Sequence, residues 1–210
     1  MTKPLVIAVD GPAASGKGTL ATKLAVHFNL PHLDTGALYR GTALAVLRAG
    51  IDPANEAACA RLAAALDTSM LDDDALRTEE VGQTASIISA HPQVRAALLQ
   101  LQRDFAAQPG GVVLDGRDIG TVICPEATVK FFVEASVDVR AKRRFLQLQA
   151  RGEKVDYEKV LADLAARDAR DTQRAAAPLL AAPDAITLQT DSMNAEQVLA
   201  AALALIPSRA

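Results

Sequence analysis

Tryptophan is absent from this 210-residue chain, and only 3% of its residues are aromatic. Any core must therefore be aliphatic and alanine-rich. Half the residues are hydrophobic, which is enough to bury one sizeable core. Cysteine is nearly missing too. Cys59 and Cys124 make no disulfide framework, and neither stands in a metal-ligand spacing. A reducing, cytoplasmic setting is expected. No apolar run approaches the ~20 residues of a membrane span. The run after Lys3 is cut short at Asp10, too early for a signal peptide. A net charge of −3 gives no general positive field for nucleic acid. Internal repeats are lacking as well, and the length suits one domain with inserted lobes.

What the chain does have is Gly11-Pro12-Ala13-Ala14-Ser15-Gly16-Lys17-Gly18-Thr19. An apolar run, Leu5 to Val9, precedes it and reads as a buried strand. Leu20 to Val26 follows with helical spacing. Strand, glycine-rich loop and helix in that order form a P-loop, here with an extra glycine between the lysine and the hydroxyl residue. Small residues let the backbone wrap an anion with several N–H groups inward. The helix N-terminus adds partial positive charge. Lys17 can bridge the β- and γ-phosphates of a nucleotide, and Thr19 offers a hydroxyl to Mg²⁺. In that context a nucleotide site is expected rather than a chance match.

Further along, Pro31 to Asp34 reads as a short extended segment ending in a Thr35-Gly36 turn. Ala37–Ala49, 54–66, Glu79 to His91 and Val94–Ala106 read as helices, and Asp67 to Asp74 as a polar surface turn. Val112–Asp115, Thr128–Val133 and Ala185–Gln189 read as strands. Val137–Ala150, Tyr157–Arg174 and Asn194–Ile206 read as helices, the last opened by an Asn194/Gln197 capping box. Strands alternating with helices imply a parallel sheet of about five strands, covered on both faces. Ligands in such α/β folds bind beyond the carboxyl ends of the strands. The P-loop, Asp34, Asp115, Arg117 and Asp118 all lie at such ends and should converge.

Arginine supplies the second constellation. Arg117 and Asp118 stand in Asp115-Gly-Arg-Asp-Ile-Gly120, where ligand contact is favoured over a pair that merely ties down a loop. Arg140, Arg143 and Arg144 share one helix face, and Arg167, Arg170, Asp171 and Arg174 form another stripe. Such stripes are usually solvated surface. In a net acidic chain they are better read as grips for phosphate oxygens. Phosphoryl transfer is mostly placement and neutralisation by cations.

With these residues in view, the chain resembles the bacterial cytidylate (CMP/dCMP) kinases, within the nucleoside-monophosphate kinases. The resemblance is carried by the Gly-Lys-Gly-Thr ending of the P-loop and by Asp34-Thr-Gly-Ala-Leu-Tyr-Arg40. It continues in Asp115-Gly-Arg-Asp-Ile-Gly-Thr121 and Arg167-Asp-Ala-Arg-Asp-Thr-Gln-Arg174. It runs over nearly the whole chain. It implies a three-layer P-loop kinase fold with a core (1–34, 108–140, 158–210), a monophosphate lobe (35–107) and a lid (141–157). By that match Arg40, Arg117 and Arg174 hold the CMP phosphate. Thr35, Ser86, Arg95 and Asp118 line the cytosine pocket, with Tyr39 beside them. Arg167 and Asp171 reach the ribose. Arg140, Arg143 and Arg144 close on the phosphates of ATP. Mg²⁺ is served by Thr19 and, through water, Asp34 or Asp115. Asp118 makes chemical sense there, since a carboxylate accepts from the amine of cytosine where uracil has a carbonyl. One departure stands out. The family's usual longer insert in the monophosphate lobe is replaced by a short acidic stretch, Asp67 to Arg77.

The expected reaction is in-line transfer of the γ-phosphoryl group from ATP to CMP or dCMP by a cytoplasmic monomer that binds neither nucleic acid nor membrane. The nearest rival is another small-molecule P-loop kinase acting on AMP, shikimate or dephospho-coenzyme A. A nucleotide-dependent switch is a further alternative, but the guanine-reading N-K-x-D segment it wants is missing. His27, His32 and His91 are read as structural or exposed, and Cys124 as a packing residue.

Overall fold

The computed structural model describes residues 4–72 and 74–206. Every run read as a strand enters one sheet. Strands β1 (Leu5–Asp10), β2 (His32–Asp34), β3 (Gly111–Gly116), β4 (Val129–Glu134) and β5 (Ile186–Gln189) lie in the order β2-β3-β1-β4-β5. Every neighbouring pair is parallel. Central strands of such a sheet are buried on both faces, which is why β1 and β3 are unbroken apolar runs. Ile7, Ala8, Val9, Val112, Val113 and Leu114 are wholly buried.

The helices are α1 (Lys17–Phe28), α2 (Thr35–Arg48), α3 (Glu56–Ala64), α4 (Glu79–Ile88), α5 (Pro92–Ala106), α6 (Val137–Ala150), α7 (Tyr157–Gln173) and α8 (Ala195–Leu205). On one face of the sheet, Leu20 and Leu24 of α1 and Val198 and Ala202 of α8 pack on Ile7, Val9, Phe131 and Val133. On the other, Ala8, Val112 and Leu114 meet Ile119, Ile123 and Cys124, with Leu99 and Phe105 of α5 alongside. The alternation of Ile7 and Val9 against Ala8 is the two-residue period of a strand. Two satellites complete the molecule. Helices α2 to α5 form a lobe around Leu38, Val46, Cys59, Ile88 and Leu98. Helices α6 and α7 pair around Leu148, Val160 and Leu164, with Ala13 of the P-loop packed into the same cluster.

Two local expectations change, and one further turn appears. No separate turn follows Asp34, because its carboxylate accepts from the Ala37 N–H at 3.2 Å and caps α2 directly. The acidic stretch after Asp67 is two 3₁₀ turns, Thr68–Asp72 and Asp74–Arg77, not a purely polar surface turn. Leu76 is buried there and Leu71 packs on the lobe, so two apolar side chains anchor an otherwise acidic segment; Asp73 lies outside the described residues. Beyond Asp118 the chain makes a π-helical turn, Ile119–Ile123, which periodicity cannot reveal in five residues.

Candidate active site

The P-loop joins β1 to α1. Gly11 has φ of 153°, and a Cβ there would sit 2.3 Å from the Val133 carbonyl oxygen, so β4 itself demands glycine. Ala14 and Gly16 also take positive φ. The loop's carbonyls are tied outward. Arg140 Nη1 donates to Ala13 O at 3.2 Å, and Arg143 Nη1 and Thr190 Oγ1 donate to Ser15 O at 3.2 and 3.1 Å. With those oxygens engaged, N–H groups are what the loop can offer an anion. Lys17 Nζ is parked on Pro12 O at 3.4 Å.

Lys17 stands among other cations. Burial, with Arg117 and Arg167 against it and Asp115 and Asp34 only partly offsetting them, brings its pKa down to about 7. Burial and Arg117 likewise lower Arg167 to about 10. Arg117 Nε donates to Asp171 Oδ2 at 2.9 Å, and Arg40 Nη2 to Asp34 Oδ2 at 2.7 Å. The Nε of Arg167 is buried without a hydrogen-bond partner. This is a centre short of negative charge, and a phosphate chain would supply it. A cleft of about 620 Å³ opens beside it, between Ala13 and Ala14, Arg40 and Gln83 of the lobe, and Arg144 and Arg167 of the α6–α7 pair.

A second seat adjoins the first. Asp118 pairs with Arg95 in a short contact and with Arg174 at 3.6 Å. The Arg95 guanidinium lies over the Tyr39 ring, 5.6 Å from its centroid. Arg174 Nη2 has no hydrogen bond although it is buried. Burial and Arg95 hold Arg174 below its ordinary pKa. Asp171 is buried as well, yet Arg117, Arg167 and Arg174 hold it below the usual carboxylate range. Thr35 spends its hydroxyl on the Asp115 carbonyl at 2.8 Å. Ser86 Oγ accepts from Arg170 Nε at 3.1 Å.

Lys17, Arg40, Arg117 and Arg167 are thus brought together, as are Tyr39, Arg95, Asp118, Asp171 and Arg174. Thr19 lies exposed at the start of α1. The three arginines of α6 divide. Arg144 lines the cleft, paired with Glu79 at 2.9 Å. Arg140 is buried, doubly bonded to Asp168 at 3.1 and 2.6 Å. Arg143 is bound to Ser15 and Thr190. Both guanidinium groups donate to P-loop carbonyls, Arg140 to Ala13 O and Arg143 to Ser15 O. Sequence reasoning missed Asp168, Thr190, Glu79, Gln83 and Asp10. It also undervalued His32, which bonds Asp115 Oδ1 at 2.8 Å. Asp10 carried a signal, being a carboxylate that closes an apolar strand just before Gly11.

A P-loop on this sheet, beside a cluster of partly buried arginines, defines a P-loop kinase of small molecules. Comparison with known proteins narrows the class. A family model described as cytidylate kinase matches residues 7–208, and the chain belongs to that family. It is 58% identical to a cytidylate kinase of Xanthobacter autotrophicus, covering 98% of each chain. It is 55% identical to one of Rhodopseudomonas palustris (96% of this chain, 95% of that one) and 54% identical to one of Methylocella silvestris (97% and 94%). Among solved structures, an uncharacterized protein from Eubacterium ventriosum superposes with a TM-score of 0.57 at 16% identity, covering 98% of this chain and 99% of that one, a likeness of fold.

Proposed function

We propose that this chain phosphorylates CMP and dCMP with ATP, and that the two adjoining seats hold the two substrates end to end. Its family and its close relatives support the reaction. The observation that carries the site assignment is the gathering of Lys17, Arg40, Arg117 and Arg167, crowded enough to depress Lys17 and Arg167. The P-loop backbone, residues Gly11 to Thr19, takes the triphosphate, with Lys17 on its β- and γ-groups. Arg40, Arg117 and Arg174 take the phosphate of CMP. Asp118, Arg95, Tyr39, Ser86 and Thr35 form the wall that reads cytosine, and Arg167 and Asp171 meet the ribose and neighbouring phosphates.

In the transfer step a CMP phosphate oxygen attacks the γ-phosphorus. The bond to the β–γ bridging oxygen breaks, and its electron pair leaves with ADP. The nucleophile is already anionic, so no strong general base is needed. Orientation supplies most of the rate, because both reactants are held in one frame. Arg144 closes on the transferring group from the lid, 141–157, while the lobe, 35–107, brings CMP to the core. Arg140 and Arg143 act one step back as positioning residues of the P-loop.

Mg²⁺ fits the donors present. Among the described residues no group of three His, Cys, Asp or Glu could hold a metal alone. A cation arriving with the triphosphate would take a hydroxyl and water-bridged carboxylates from the protein. Thr19 would supply the hydroxyl. Asp34 and Asp115 would act through water, and a Cβ on Gly18 would lie 3.6 Å from Asp115 Oδ2. When bound, the ion neutralises phosphate charge. Two buried free cysteines suit the cytoplasm, and no described helix is long and apolar enough to cross a membrane. The net charge of −3 argues against nucleic acid as a partner.

ADP release measured with CMP, dCMP, UMP, AMP and shikimate tests the reading. CMP and dCMP should turn over fastest. Faster turnover of AMP or shikimate overturns it.

A further inference from the structure

Asp10 ends β1 and directly precedes the P-loop. It is buried, and among the described residues it makes no salt bridge. Its partners are two backbone N–H groups. Ile119 N donates to Oδ1 at 2.8 Å and Gly120 N to Oδ2 at 2.7 Å. These amides open the π-helical turn after Arg117 and Asp118. Within that turn the Asp118 carbonyl accepts from Val122 and Ile123, and the Ile119 carbonyl from Cys124. The amides of Ile119 and Gly120 are the orphaned donors that open any helical turn, and they need a cap.

An aspartate in Asp118's position usually caps its own turn. Here Asp118 makes no such bond, and its carboxylate faces Arg95 and Arg174 instead. Asp10 reaches across from β1 and takes over the capping. Lys130 completes the support. Its aliphatic stem lies 3.1 and 3.3 Å from where a Gly120 Cβ would be, and its ammonium bonds Asp184 at 2.8 Å.

We propose that Asp10 is a positioning residue for the acceptor side of the reaction: by capping the turn in place of Asp118, it frees Asp118 for the nucleotide base and fixes Arg117 relative to the P-loop. The inference rests on the reading of Asp118 and Arg117 as CMP ligands. One residue then sets the spacing of the two substrate seats, since its backbone leads into Gly11 and its side chain holds the other loop. The carboxylate is matched to two donors. An amide would offer one acceptor and turn an N–H toward a second N–H. Burial lifts its pKa to about 7, and the two backbone N–H bonds work against that lift.

The test is Asp10→Asn, with Asp10→Glu as the second variant should the first not fold. Both are read in three ways: KM for CMP against kcat, the ratio of kcat/KM for CMP over UMP, and ATP affinity without acceptor. The expected result is a rise of about ten- to a hundredfold in KM for CMP and a loss of CMP-over-UMP preference, with ATP affinity within about threefold of wild type. A purely structural role would lower the melting temperature and leave the CMP-over-UMP ratio untouched. That result, or an equal loss of ATP and CMP binding, overturns the proposal. Asp118→Asn, measured alongside, separates the failures. If it keeps full preference for CMP, the pocket reading itself is wrong. If it loses the preference while both Asp10 variants keep it, only the role of Asp10 falls.

Discussion

Arg117 Nε donates to Asp171 Oδ2 at 2.9 Å, so the loop after β3 is tied to α7. Asp171 is also 4.0 Å from Arg167 and from Arg174. One buried carboxylate therefore aligns three arginines. Removing it strands buried charge, so Asp171→Ala should cost about 3 kcal/mol of stability and raise KM for CMP. Its depressed pKa gives the pH sign. The stabilisation is complete above the ordinary carboxylate value and is lost as pH falls through the lower, folded value. Thermal melts of wild type and Asp171→Asn should therefore converge on going from pH 6 to pH 3. A constant gap would show that Asp171 carries no net charge coupling.

Lys17 behaves in the opposite sense. Its folded pKa of about 7 lies below its ordinary value, so the folded chain binds this proton less well than the unfolded chain between those limits. Its contribution to stability is unfavourable below pH 7 and recovers as pH rises toward 10.5. Lys17→Ala should abolish turnover, by about a thousandfold or more, yet melt a few degrees higher than wild type at pH 6. The gap should close toward pH 10. A second consequence is proton uptake when ATP binds at pH 8, visible as a dependence of calorimetric enthalpy on the buffer.

Asp118 presents acceptors only. Asp118→Asn can turn an N–H toward the carbonyl of uracil, so kcat/KM for UMP relative to CMP should rise at least about tenfold. Steady-state kinetics with the two nucleotides checks this.

Arg144 meets Glu79 at 2.9 Å, and Arg151 Nη1 donates to the Arg77 carbonyl at 3.2 Å. The α6 end of the α6–α7 pair thus touches α4 and the 3₁₀ turn before it. Glu79 competes with phosphate for Arg144. Both side chains are partly exposed, so the effect is small and salt-screened. Glu79→Gln should lower KM for ATP about twofold at low salt, and the difference should vanish at high salt.

The sheet was legible because buried parallel strands leave unbroken apolar runs, and because Asn194 and Gln197 announce α8 by their spacing. The P-loop was legible because Gly11 and Gly16 take backbone conformations that L side chains rarely adopt, a demand any chain would share. The partners of Arg140 and Arg143 were not. Helical periodicity says that they share a face but not what that face meets, and here it meets the outer carbonyls of the P-loop. Asp10 and Asp168 escaped for the same reason, since their partners lie 109 and 28 residues away in sequence. The two 3₁₀ turns were hidden by composition, because the buried Leu76 sits among acidic neighbours.

On the proposed reading, both nucleotides sit at once, phosphate to phosphate, in one chain. The most direct measurement is the affinity of a single molecule that joins cytidine to adenosine through a polyphosphate bridge. It should bind at least about a hundredfold tighter than ATP and exclude CMP, because the second contact becomes intramolecular. Binding no tighter than ATP, with CMP still saturating its own site beside it, would contradict the account.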